Sequence, residues 1–181
     1  MILIILGVLL WSGAHLFNRF APDARAKLGS KGRGIVAVLS ILAIVLMVVG
    51  YRSADGPVFW GRTAALVGVN NLLMLLAIYL FASSGAKTWI TSKIKNPQLT
   101  AVKVWALAHL LVNGALEDIV LFGGMMAWAV VTVIVLKRSG VVPAPYVPVA
   151  AKKEITAAAM TVVVTVVVMG IHAALGVTPW G

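Results

Sequence analysis

Six stretches of this 181-residue chain contain no Asp, Glu, Lys or Arg. They run over residues 1–18, 34–51, 63–86, 104–116, 119–136 and 155–181. A helix that crosses the hydrocarbon core of a bilayer needs about 20 mostly apolar residues. Five stretches satisfy that directly. The fourth does so once residues 97–103 are added, because Lys103 near a helix end can snorkel to the headgroups. The expected fold class is therefore all-α: a polytopic membrane helical bundle of about six transmembrane helices. The fourth and fifth form a tight hairpin around Asn113-Gly114.

Composition points the same way. Charged residues make up 11% of the chain, against about 25% in a soluble domain. Mean hydropathy is +1.04. Nothing divides the sequence, so residues 1–181 read as a single transmembrane domain. The first stretch reads as a span and not as a cleaved signal, because no Lys or Arg precedes it and Ala24-Arg25-Ala26 is a poor cleavage site. The segment Val142-Pro143-Ala144-Pro145-Tyr146-Val147-Pro148 reads as an extended loop.

The net charge of +10 follows a pattern. In a six-helix arrangement, one side carries Arg19, Arg25, Lys27, Lys31, Arg33, Lys87, Lys93, Lys95, Lys103, Lys137, Arg138, Lys152 and Lys153. The other side has Arg52 and Arg62 with Asp55, Glu117 and Asp118. Basic residues collect in cytoplasmic loops, which places both termini on the periplasmic side of an inner (plasma) membrane. The charge is thus explained by topology, not by nucleic acid. With no cysteine, the chain has no disulfide, iron–sulfur cluster, thiolate chemistry or C-x-x-C-H haem attachment. Walker-type, H-E-x-x-H and G-x-S-x-G motifs are also absent, and no motif specifies a substrate.

Ionisable groups inside a membrane are costly, which makes them functional hypotheses. His15, His109 and His172 fall in the first, fourth and sixth spans. At 1.5 Å of rise per residue, His15 and His109 lie within roughly 5–10 Å of each other along the membrane normal. That suits two imidazoles reaching one haem iron from opposite faces. His172 lies nearer a helix end and reads as interfacial. A structural zinc site would need four ligands, which the chain does not supply. Arg19, one turn after His15 on the same face, is a candidate partner for a propionate. Asn18 and Asn113 are placed to orient an imidazole or cap a helix. Trp105, one turn before His109, can pack against a macrocycle. The competing reading is that these histidines are interhelical hydrogen-bonding groups.

Asn70-Asn71 are expected to bond a neighbouring helix. Glu117 and Asp118 are expected to cap the fifth span through its dipole. Trp11, Trp60, Trp89, Trp128 and Trp180 fall near helix ends and read as interface anchors. Gly123-Gly124 allow close backbone approach. The basic loops are suited to anionic headgroups.

The run Asn96-Pro97-Gln98-Leu99-Thr100, Val102-Lys103-Val104-Trp105-Ala106 and Ala108-His109-Leu110-Leu111-Val112-Asn113-Gly114 resembles the signature of the NnrU family. Asp118, Leu121-Phe122-Gly123, Trp128-Ala129, Lys137-Arg138, Gly13-Ala14-His15-Leu16 and Gly170-Ile171-His172 extend the likeness over nearly the whole chain. The resemblance implies a bacterial membrane protein associated with denitrification, near nitrite and nitric oxide reduction. It also implies kinship with 15-cis-zeta-carotene isomerase, a haem b enzyme whose two ligating histidines correspond to His15 and His109. This chain has Asn96 where that enzyme has a histidine, and Ala106 where it has a redox-linked cysteine. Ligand switching through a cysteine is therefore absent. Three functions stand as expectations. The first is a haem b protein supporting denitrification, the second a haem-dependent isomerase of carotenoids or isoprenoids, and the third a non-catalytic scaffold or transport helper. The expected partners are the lipid bilayer and the nitrite or nitric oxide reduction machinery, with homo-oligomerisation left open.

Overall fold

The computed structural model describes residues 1–140, 148 and 150–179, and these are helical nearly throughout. The elements are α1 (Ile2–Phe20), α2 (Pro22–Lys27), α3 (Lys31–Arg52), α4 (Ala64–Ala86), α5 (Ile90–Lys93), α6 (Pro97–Val112), α7 (Leu116–Asp118), a π-type turn (Ile119–Gly123), α8 (Gly124–Arg138) and α9 (Ala151–Ala174). Helix α7, the π turn and α8 form one continuous rod, Leu116–Arg138. With α1, α3, α4 and α9 this makes five helices long and apolar enough to cross a membrane. The sixth, α6, has 16 residues and spans about 24 Å. It is the short fourth span, beginning at Pro97 as the sequence suggested. Proline suits a first helical position, where its missing N–H would have had no partner.

The six long helices form a row in the order α3, α1, α8, α6, α4, α9, each packed on the next. Lipid offers no hydrophobic force to press helices together, so close packing must hold them. At the α1–α3 contact, glycines provide it. A β-carbon on Gly7 would collide with Met47 and the Ala43 carbonyl, and one on Gly50 with the Ile4 backbone. Farther along the row, a β-carbon on Gly124 would press on Val8, so α8 approaches α1 as the glycine pair suggested. The core joins Leu16, Met47, Met125, Trp128 and Ala129 from three helices. Large apolar side chains on α3 and α9, among them Val38, Ile41, Val162 and Val166, face outward, as lipid contact requires. Several hydroxyls within the spans are satisfied locally. Ser12, Ser40, Thr132, Thr161 and Thr165 each donate to the carbonyl four residues back.

Contacts fix which ends lie together. Ile4 abuts Gly50, and Arg62 donates to the Thr178 carbonyl at 2.9 Å. The loop after α3 pairs with the α6–α7 turn through Phe59 N–H to Gly114 O at 2.8 Å and Leu116 N–H to Pro57 O at 3.0 Å. Both ends of the described chain therefore lie at one face of the bundle, as an even number of crossings demands. The turn at 113–115 is the expected hairpin. The Pro-rich segment is outside the described residues, except for Pro148.

Candidate functional site

Helix α8 is the wall of the candidate site, and the two histidines approach it from either side. His15, on α1, stacks on Trp11 with ring centroids 4.1 Å apart and meets Trp128 edge-on at 5.4 Å. His109, on α6, lies 4.4 Å from Phe122 and 5.2 Å from Trp105. Trp105 in turn meets Phe122 at 5.1 Å. Phe122 and Trp128 are six residues apart on one rod, so the rings contact it at levels about 9 Å apart. Trp11 and Trp105 both pack against the core cluster that contains Met125 and Trp128. His15, Trp11 and Trp128 thus form one aromatic group, and His109, Trp105 and Phe122 a second, with the apolar core cluster between them.

The imidazoles share a hydrogen-bonding state. His15 Nδ1 is 2.9 Å from the Trp11 carbonyl, His109 Nδ1 3.1 Å from that of Trp105, and His172 Nδ1 2.8 Å from that of Val168. A carbonyl can only accept, so in each case Nδ1–H donates. In a neutral ring, Nε2 then keeps its lone pair, the form that ligates a metal. Among the described residues, all three histidines bond through Nδ1 within their own helices.

The other predicted residues are placed as follows. Asn113 Nδ2 donates to His109 O at 3.0 Å, so it caps α6. Asn18 lines a cleft with His15. Arg19 is exposed on α1 and is not among the residues lining that cleft; Arg25 and Arg33 are. His172 is half-buried. Asn70 does bond a neighbouring helix, donating to Ala108 O at 2.8 Å beside His109. Asp118 caps its own helix, with Oδ2 accepting from Ala115 N–H at 2.9 Å.

The tryptophans need a correction. Trp60 does sit at a bundle end, donating to Leu110 O at 2.8 Å, and Trp89 is exposed. Trp11 and Trp128, however, pack into the middle of the bundle, with Trp128 in the core. Both lie near the middle of their charge-free stretches, residues 1–18 and 119–136, which is a depth for packing and not for an interface anchor. A usable signal was present: Trp11 precedes His15 by four residues, as Trp105 precedes His109. That spacing stacks the two rings on one helix face. Trp180 is outside the described residues.

Four buried side-chain donors have no partner among the described residues: the hydroxyls of Ser83 and Thr88, away from the histidines, and two indoles beside His15. Trp11 Nε1 and Trp128 Nε1 are enclosed and make no hydrogen bond. Buried polar groups are nearly always paired, because leaving one unpaired costs about 1–3 kcal/mol. Both indoles lie against His15. Two preset imidazoles, an aromatic wall and unused donors beside one of them fit the chemistry of a flat, axially ligated macrocycle. Among the described residues, no group of three or more His, Cys, Asp or Glu side chains could hold a bare metal ion.

No curated protein and no solved structure matches this chain. Residues 3–179 match the family described as NnrU protein, which leaves almost none of the sequence outside the likeness. The Trp-x-x-x-His pairs, the 113–115 hairpin and the aromatic face of α8 all lie within that match, and the chain belongs to the NnrU protein family.

Proposed function

We propose that this chain is a multi-pass protein of the bacterial inner membrane that holds a haem b through His15 and His109 and supports nitrite or nitric oxide metabolism. The observation that carries this reading is that His15 and His109, held by a carbonyl one turn back as His172 also is, lie in addition against the aromatic residues of the α7–α8 rod, with Nε2 left to ligate. Trp11, Trp105, Phe122 and Trp128 would supply the apolar slot, and the Trp11 and Trp128 indole N–H groups its polar contacts. When bound, haem supplies one-electron redox chemistry or a site for a diatomic ligand. The protein's own part is to hold the imidazoles in the right tautomer. Association with denitrification rests on family membership, and the periplasmic placement of the termini on the basic-residue asymmetry.

The test is a reduced-minus-oxidised spectrum of the purified protein from cells with ample haem. A b-type signal in stoichiometric amount is expected. Its absence under those conditions overturns the proposal. Loss of nitrite or nitric oxide turnover on deleting the gene, restored by the wild-type chain, is expected of the metabolic role.

A further inference from the structure

A cleft of about 470 Å³ opens at the basic end of α1 and α3, beneath the short helix α2. Its walls are graded. Because α1 and α3 are antiparallel neighbours, Ala14 and Val36 lie at its deep end and Asn18 and Arg33 about one turn shallower. Arg25 reaches in from α2. The cleft therefore passes from Ala14 and Val36, with His15 beside them, to a mouth with two guanidinium groups, and among the described residues no carboxylate lines it.

Arg25 is held in place. Its guanidinium lies directly over Gly32, where any β-carbon would overlap it. Its one bond to the protein, from Nη1 to the Gly29 carbonyl, is long at 3.5 Å. That contact engages one of five N–H donors on a planar fork suited to phosphate. Two cations lining one cleft without an acid repel each other, and an anion between them removes the repulsion.

We propose that this cleft binds the phosphate of an anionic phospholipid, with Arg25 and Arg33 on the headgroup and the Ala14–Val36 floor against the start of an acyl chain. The floor favours a lipid over a soluble phosphate. So does the setting: the two long helices that flank the cleft are membrane spans with outward apolar surfaces, including Phe20 and Ile35. The cleft also lies on the face that carries most of the basic residues, and anionic lipids attract such segments. His15 also lines this cleft and is shared with the proposed haem site, but the inference rests on the two arginines and the floor, not on haem.

The full chain is reconstituted in nanodiscs of phosphatidylcholine with or without phosphatidylglycerol, then extracted for native mass spectrometry of retained lipid. Phosphatidylglycerol should be retained by the wild type and phosphatidylcholine should not. The double variant Arg25→Ala/Arg33→Ala should lose more than about tenfold in retention, as expected for charge-assisted hydrogen bonds. Gly32→Ala, which displaces Arg25 without removing charge, should also weaken it. Lys152→Ala/Lys153→Ala removes the same charge elsewhere on that face and should leave retention unchanged. Equal retention by the arginine variant and the wild type overturns the proposal, as does an equal fall in the lysine variant. Competition by inorganic phosphate alone would make this a soluble-anion site and also overturn it. Loss of haem signal with lipid retention intact would reassign the arginines to the cofactor. Circular dichroism of each variant identifies any that fail to fold, and Arg25→Lys/Arg33→Lys then serves as the milder comparison, with reduced but measurable retention expected.

Discussion

The Tyr51 hydroxyl donates to Asp118 Oδ1 at 2.6 Å across 67 residues of sequence. The other oxygen of the same carboxylate accepts from Ala115 N–H at 2.9 Å. One acid thus ties the end of α3 to the turn that starts the α7–α8 rod. Tyr51→Phe removes one hydrogen bond to a charged group and should lower stability by about 1.5–3 kcal/mol. Asp118→Ala leaves both donors without their acceptor and should cost more. Thermal unfolding in detergent checks the order; a Tyr51→Phe protein as stable as the wild type would show that the bond holds nothing.

Gly7 and Gly13 lie on the same helix and should respond oppositely to alanine. At Gly7 the new methyl meets Met47 and the Ala43 carbonyl, so α1 and α3 must part. A loss of about 1–3 kcal/mol is expected from such overpacking. At Gly13 nothing lies within 4 Å, and the gain in helix propensity, up to about 1 kcal/mol, should show. Parallel melts of the two variants measure the difference.

His15→Ala and His109→Ala should each weaken or abolish the haem spectrum, and His172→Ala should leave it. Trp128→Phe is the sharper probe. It deletes a buried N–H that has no partner among the described residues but also shrinks a core side chain, so some loss of stability in the haem-free protein is expected. If that N–H meets the bound group, haem retention should fall as well. Unchanged retention would remove Trp128 from the site.

The absence of native cysteine makes topology directly readable. Single cysteines at Asp55 or Val177 should react with a membrane-impermeant maleimide in spheroplasts, and those at Lys95 or Lys153 should react only after lysis. The reverse pattern would invert the orientation derived from the basic residues.

The spans were legible because a charge in lipid is costly, so charges mark where helices leave it. Their limits shifted by a few residues where cations occupy helix ends: α3 starts at Lys31, not Gly34. The six-residue α2, begun by Pro22, was not anticipated inside a loop read only for its charge. The order of helices in the row could not be read either. Apolar residues cover nearly every face of these spans, so no stripe indicates which side meets a neighbour. The same limit hid parts of the site. The Asp118 cap is local and was foreseen, whereas its partner Tyr51 is remote in sequence. His15 and His109 stood out because polar groups are rare in such windows, whereas Trp11, Phe122 and Trp128 are ordinary there.

The position of α8 bears on how the molecule is assembled during synthesis. The pair α1–α3 and the pair α4–α6 can each form as the chain emerges, and they meet chiefly through α8. A nascent chain that ends at residue 115 already contains both His15 and His109, yet it lacks Phe122, Met125 and Trp128. The two halves of the site are therefore made early and remain apart until a later helix inserts between them. If the proposed haem is held as described, its site is completed only when α8 is made.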